Sequence, residues 1–348
     1  MVDTWDEGGQ ASLVSQICAR LNDQPSLEAL LPAKPEEPLP QDCCGCSCNP
    51  CVFDIYSSDL EEWARESCKI LQQSAVDETR QLYAESEDKI EQNKLLSHKQ
   101  YTPLRLLSIV PDCTDSWIYR FQLPAGTRIA PGQHLITRGL TEKGRAVSRQ
   151  YTPLHWSFPI PDKDGFFDVL IKVYSRGKMS QCVKKWGAGA MVDWRGPLGK
   201  FNYTKGEASV LLMFCAGTGL APLVSIVDSI LADPEDYTRL RLWFCCRRSD
   251  QIHLRSWLKR CSALWNFHLT LIISSTAPDP QKVDLGIEEA TVHSGSRLGQ
   301  SQVRDEVDEL RRRKQTFKTL VCGTKAFEKD IINYLLKSDV PKSAIVTF

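Results

Sequence analysis

Four stretches of the chain concentrate side chains that could do chemistry. The first, "RQYTPLHW" at residues 149–156, alternates bulky and polar groups, and its Tyr, Thr and Trp favour an extended strand. At a period of two, Arg149 and Tyr151 share one face and Gln150 and Thr152 the other, unless Pro153 bends the strand end. A guanidinium, an aromatic face and a hydroxyl on one run could grip a flat, anionic molecule; the alternative is an edge strand that closes a small barrel. The second, "QDCCGCSCNPC", holds Cys43, Cys44, Cys46, Cys48 and Cys51. Its two C-x-x-C pairs could collect Zn²⁺ or a cluster through thiolates. The spacing is not that of a zinc ribbon, and a Cys-rich turn that binds a partner is the alternative.

The third stretch, "SRGKMSQCVKKW", offers Gly177 for a turn and a short helix over Met179–Trp186, with Ser180 and free backbone N–H groups at its start. Such a start suits a phosphate, although a helix plugging a barrel would read the same way. The fourth, "AGTGLAP", follows an apolar run and carries Gly217, Thr218, Gly219 and Pro222. Glycines let the backbone approach a pyrophosphate while the helix start donates N–H groups. It is not a full G-x-G-x-x-G, and glycines in such turns also serve sterics. A related turn, "VCGTKAF", puts Cys322 and Gly323 at a strand's carboxyl end, where parallel sheets bind ligands.

The elements that must position these residues divide the chain. Short strands near 105–112, 116–123, 133–140, 148–155, 166–175 and 190–195, separated by turns, predict a six-stranded antiparallel barrel over 100–205. From 206 to 348, strands and helices alternate as βα units do, which predicts a parallel-sheet nucleotide-binding domain. Upstream, 61–99 reads as a helical linker with Leu60, Trp63, Ala64 and Ile70 on one face, after the Cys-rich segment 40–60. Within 1–39, Leu13, Val14, Ile17 and Leu21 are spaced for one amphipathic helix. At 348 residues the chain can bury two cores. Its 43 basic and 43 acidic residues cancel, so nothing in the charge calls for nucleic acid. No run of about 18 apolar residues exists, and "MVDTWDEGGQ" is neither a secretory leader nor a myristoylation site. The other nine cysteines are scattered through apolar segments, as in a reducing compartment.

In this order, "PGQH" at 131, "RQYTP" at 149, "LIKVY" at 170, "GKMS" at 177, "RGPLG" at 195, "AGTGLAP" at 216 and "VCG" at 321 resemble the ferredoxin-reductase superfamily. Within it the chain is most similar to the NADH-cytochrome b5 reductases. "PLPQDCCGCSCNPCVFDIY" resembles an oxidoreductase-like N-terminal segment. The resemblance implies a two-domain β plus α/β flavoenzyme that takes hydride from NADH onto FAD and passes single electrons to cytochrome b5 or a similar small haem protein. Arg149 would pair with the FAD pyrophosphate, Tyr151 and Pro153 would lie along the flavin, and Thr152 would hydrogen-bond near the reacting nitrogen. His155 stands where the family has Ser.

Ile171, Lys172, Val173 and Tyr174 would line the ribityl and adenine side, and Gly177, Lys178, Met179 and Ser180 would hold the phosphates. Gly217, Thr218, Gly219 and Pro222 would frame the nicotinamide dinucleotide, with Cys322 and Gly323 beside the nicotinamide and Phe348 in the same cofactor set. Ser274 or Ser275 falls where NADH-selective relatives carry an acid, so NADPH is admitted as a second donor. Lys143, Arg145, Lys184 and Lys185 are candidates to meet an acidic haem protein. Two alternatives remain: a diaphorase-type reductase of quinone or ferric acceptors, and a catalytically silent flavoprotein scaffold. Lacking an anchor, the chain is expected to be intracellular, cytoplasmic or peripherally membrane-associated, with mitochondrial association left open, and a partner could recruit it through the Cys-rich segment.

Overall fold

The computed structural model describes residues 12–39, 51–77, 96–124, 126–154, 165–275, 287 and 289–348. Cys43, Cys44, Cys46 and Cys48 therefore lie outside the described residues, as does His155. Strands β1 (Thr102–Cys113), β2 (Ser116–Gln122), β3 (His134–Leu140), β4 (Ala146–Tyr151), β5 (Pro153–Leu154), β6 (Phe166–Lys172) and β7 (Met191–Leu198) form one antiparallel sheet in the order β4-β3-β7-β1-β2-β6-β5. β4 and β5 are two halves of one run. β4 pairs with β3 and β5 with β6, so the sheet closes on itself as the expected six-stranded barrel. The break falls at Thr152 because Pro153 has no N–H to continue the first ladder.

Inward residues hold the barrel shut. Trp194 is fully buried, and its ring meets Phe121 and Phe167 at centroid distances of 4.9 and 5.2 Å. A short helix, α3 (Lys178–Val183), follows β6; it begins one residue before, and ends three residues before, the Met179–Trp186 span that the spacing suggested. Before the barrel, α1 (Leu13–Asp23) and α2 (Val52–Asp77) pack together around Ile17, Trp63, Ala64, Cys68 and Leu71. The helix over this region thus begins inside the segment read as Cys-rich. It is not a spacer: Asp59 on its buried face is bonded into the barrel.

The second sheet is wholly parallel, in the order β11-β10-β9-β8-β12-β13, from β8 (Val210–Ala216), β9 (Arg239–Cys246), β10 (Phe267–Ile273), β11 (Thr291–Ser294), β12 (Phe317–Cys322) and β13 (Ile345–Thr347). β8 reads as an unbroken apolar run because it is covered on both faces: Leu211, Met213 and Cys215 join one core, Val210, Leu212 and Phe214 the other. Helices α4 (Ala221–Ala232), α5 (Arg255–Ser262), α6 (Gln300–Arg312) and α7 (Lys325–Lys337) supply the cover. β11 and α6 escaped the sequence reading. β11 is exposed throughout, and α6 is mostly charged, with only Val303, Val307 and Leu310 marking its apolar stripe.

The two domains are joined by packing and by hydrogen bonds. Leu154 and Leu170 of the barrel belong to the α/β core, and the Gly132 N–H donates to Ser225 Oγ at 3.1 Å. At the end of β1, Asp112 Oδ2 lies 2.8 Å from His253 Nδ1, while Asp112 Oδ1 accepts from the Leu254 N–H at 2.9 Å. Among the described residues no helix is long and apolar enough to cross a membrane.

Candidate active site

A cleft of about 1270 Å³ runs between the barrel and the carboxyl edge of the parallel sheet. The strand break supplies its barrel wall: Arg149, Tyr151 and Thr152 line it, with Thr152 outside both ladders. Tyr151 is braced from behind, its ring 6.2 Å from that of Trp194, and burial pushes its phenol well above the ordinary range, so it stays protonated. The Arg149 Nη1 donates to the Ser148 carbonyl at 2.8 Å. Lys172, Tyr174, Gly177, Lys178, Met179 and Ser180 continue the wall. The turn into α3 is tight: Ser180 Oγ accepts from the Tyr174 N–H at 3.0 Å, and a methyl added to Gly177 would meet the same oxygen at 2.9 Å.

The opposite wall comes from the sheet. Thr218, Gly219, Pro222, Cys322, Gly323 and Phe348 line it. Gly217 takes φ +56°, a left-handed conformation that a side chain would oppose, and a side chain on Gly219 would collide with the Cys322 carbonyl. The two turns are thus pressed together, and glycine at 219 is what permits it. The Gly323 N–H donates to Glu328 Oε1 at 2.9 Å, and the Phe348 ring packs on Phe201 at 5.2 Å.

Fifteen of the sequence-selected residues meet around this one space. Five do not line it. Ile171 is buried in the barrel core, with Val173 packed against that core, and Pro153 is buried. Gly217 shapes its turn without lining the cleft, and Ser274 lies just past β10, its N–H bonded to the Cys246 carbonyl at 3.0 Å.

Among the lining residues that the sequence reading did not select is His134 of "PGQH". Its Nε2 is buried without a hydrogen-bond partner among the described residues, and burial lowers its pKa to about 4, so the imidazole is neutral near pH 7. A histidine beside a glycine turn carries no sequence signal of that kind. The residues present suit a flavin dinucleotide: Arg149 and Lys178 offer cations for a diphosphate, Tyr151 and Thr152 offer a ring face and a hydroxyl, and His134 holds an unmet polar atom. Asp112, Cys113 and His253, the one trio of metal-ligand type among the described residues, lie outside this cleft's lining.

The profile of the oxidoreductase FAD-binding domain matches residues 103–203, that of the oxidoreductase NAD-binding domain residues 213–332, and that of the N-terminal part of oxidoreductase-like proteins residues 29–72. The mouse (Mus musculus) protein named NADH-cytochrome b5 reductase-like is 36% identical over 336 residues, 95% of this chain and 100% of that protein. The chain belongs to the NADH-cytochrome b5 reductase-like family. The human (Homo sapiens) NADH-cytochrome b5 reductase-like protein is 33% identical, covering 94% of this chain and 99% of its own length.

Like the rest of the NADH-cytochrome b5 reductase-like family, the chain is an oxidoreductase built on FAD- and NAD-binding domains. Solved structures share its fold. The cytochrome b5 reductase domain of Ulva prolifera nitrate reductase superposes with a TM-score of 0.58 at 22% identity, covering 73% of this chain and 99% of that one. The CS-b5R domains of human Ncb5or in the NAD⁺ form give 0.61 at 20% identity, covering 78% and 76%.

Proposed function

We propose that the protein takes hydride from NADH and delivers the electrons one at a time to a haem protein such as cytochrome b5. One observation carries this reading: a single cleft is walled on one side by the broken strand of the FAD-binding domain and on the other by the paired turns of the NAD-binding domain. Bound FAD supplies what the chain lacks, a centre that accepts a two-electron hydride and returns single electrons.

The chain's own tasks are to bind, orient and exclude water. Arg149 and Lys178 meet the diphosphate, and Tyr151, fixed against Trp194, gives the ring a flat bed. Thr152, at the strand break, would offer its hydroxyl to the flavin ring. The close approach of Gly219 to Cys322 would let the two turns of the sheet form the nicotinamide platform opposite that bed, with the Phe201–Phe348 ring pair lining the same cleft. No general base is required of any of them.

For the acceptor, Lys143 and Arg145 follow β3, and Lys184 and Lys185 follow α3; all four are exposed. The Cys182 Sγ–H donates to the Leu140 carbonyl at 3.1 Å, so the two basic turns are neighbours. Such a patch suits an acidic haem-protein rim and predicts salt-sensitive association. Stopped-flow oxidation of the reduced protein by cytochrome b5, beside a quinone and a ferric chelate, tests the acceptor. Fastest oxidation by cytochrome b5, slowed by added salt and by Lys184→Glu, is expected. A quinone or chelate that outruns it at every salt concentration would move the assignment to a diaphorase.

A further inference from the structure

Residues upstream of the barrel reach the diphosphate end of the cleft from two directions. Lys34–Glu36 lie alongside β4 as a short parallel addition: the Glu36 N–H donates to the Ala146 carbonyl at 2.7 Å, and the Ala146 N–H to the Lys34 carbonyl at 3.1 Å. So anchored, Glu36 Oε1 sits 3.0 Å from Lys178 Nζ. From the other direction α2 brings Asp59, 7% exposed, against the same strand. Asp59 accepts from Ser148 Oγ at 2.6 Å, from Arg195 Nη2 at 2.9 Å and from the Tyr101 hydroxyl at 3.1 Å. The two approaches are tied together, since the Trp63 indole N–H on α2 donates to the Pro32 carbonyl at 2.8 Å.

Both carboxylates face one small space. A cavity of about 20 Å³, room for one water, is lined by Glu36 and Asp59 together with Ser148, Arg149 and Lys178. Ser148 is the hinge of the arrangement. Its hydroxyl is held by Asp59, while its carbonyl holds the Arg149 guanidinium. The orientation of that residue therefore couples a helix outside the barrel to the cation that faces the cleft. Glu36 acts differently. Its charge is opposite to that of Lys178 but the same as that of a diphosphate, and its backbone bonds to Ala146 keep it from drifting away.

We propose that this N-terminal arm is a working part of the flavin-diphosphate end of the cleft, with Asp59 positioning Arg149 through Ser148 and Glu36 competing with the diphosphate for Lys178. It rests on the assignment of FAD to the cleft. The two contacts have effects of opposite sign, which a general loosening of the fold would not produce.

The test is the affinity of the full chain for FAD and for riboflavin, which lacks the diphosphate. Glu36→Gln frees Lys178 and should tighten FAD by up to about fivefold, the scale of an exposed ion pair, with the gain shrinking as salt is raised. Asp59→Asn would leave Arg195 buried opposite a neutral amide and endanger the fold, so Ser148→Ala is the cleaner variant: it keeps the Asp59–Arg195 pair. Ser148→Ala cuts the tie to Asp59 but keeps the carbonyl that holds Arg149, so only part of the lost hydrogen bond reaches the cleft, and FAD should weaken by up to about tenfold. Riboflavin affinity should be unchanged in both. Equal shifts for FAD and riboflavin, or none for FAD, would overturn the proposal. Arg149→Glu separates the two levels. If it loses FAD while Glu36→Gln and Ser148→Ala change nothing, only the role of the arm fails; if it keeps FAD in full, the assignment of the cleft fails, and the arm's role with it.

Discussion

Arg149 and Ser274 are the residues at which the account is most exposed. Replacing Arg149 by Glu removes a charge-assisted pair worth about 1.5–3 kcal/mol and adds repulsion. Purified Arg149→Glu should therefore emerge with most of its FAD lost, read from its visible absorbance. Selectivity between donors is proposed to lie at Ser274. Ser274 follows β10 beside the end of β9, where its N–H meets the Cys246 carbonyl. Serine can bond a ribose hydroxyl but repels no 2′-phosphate, and Arg248 at the neighbouring strand end is already paired with Asp250. NADH is thus expected to be the better donor with modest discrimination, and Ser274→Asp should sharpen it by about tenfold or more. Single-turnover flavin reduction with both donors measures this; unmodified protein that rejects NADPH as strongly as Ser274→Asp would place the selection in other residues.

At the level of elements, what could be read ahead depended on whether a segment's fate is decided locally. The barrel strands were legible because their alternation and turns are local, and so was β8, whose unbroken apolar run can only be buried on both faces. The strand break at Thr152 was half legible: Pro153 signals an end to one ladder, but the choice of β6 as the next partner is a property of the closed barrel. α2 was misjudged because its apolar spacing revealed a helix while the residue that docks it, Asp59, is charged. Of the five selected residues outside the cleft lining, Ile171 shows the limit most plainly. Strand alternation alone cannot say that Ile171 points into the barrel core. That core has a clear keystone in Trp194, and Trp194→Ala should cost about 3–5 kcal/mol in urea unfolding, with weakened flavin retention because Tyr151 loses its support. An unchanged unfolding midpoint would show that the rings around it close the barrel without it.

For the whole molecule, the geometry of the cleft depends on how the two domains are held. His253 is buried between them; burial, the largest influence, pushes its pKa down, but hydrogen bonds to Asp112 and Cys113 and their charges carry it up to about 9 from 6.5. A raised imidazole pKa stabilises the folded state fully below about pH 6.5, and that stabilisation is lost as pH rises through about 9. It is on the order of 3 kcal/mol. His253→Gln should flatten the pH dependence of urea stability across that window, and an unaltered profile would remove His253 as its source. The central claim, however, concerns what crosses the cleft once both walls are in place. Its most direct measurement is anaerobic stopped-flow mixing of the flavin-loaded protein with NADH carrying hydrogen or deuterium at the transferred position. Expected is rapid bleaching of the flavin band that the deuterium slows, lost in Arg149→Glu together with the flavin; flavin-loaded protein that NADH leaves oxidised would contradict the account.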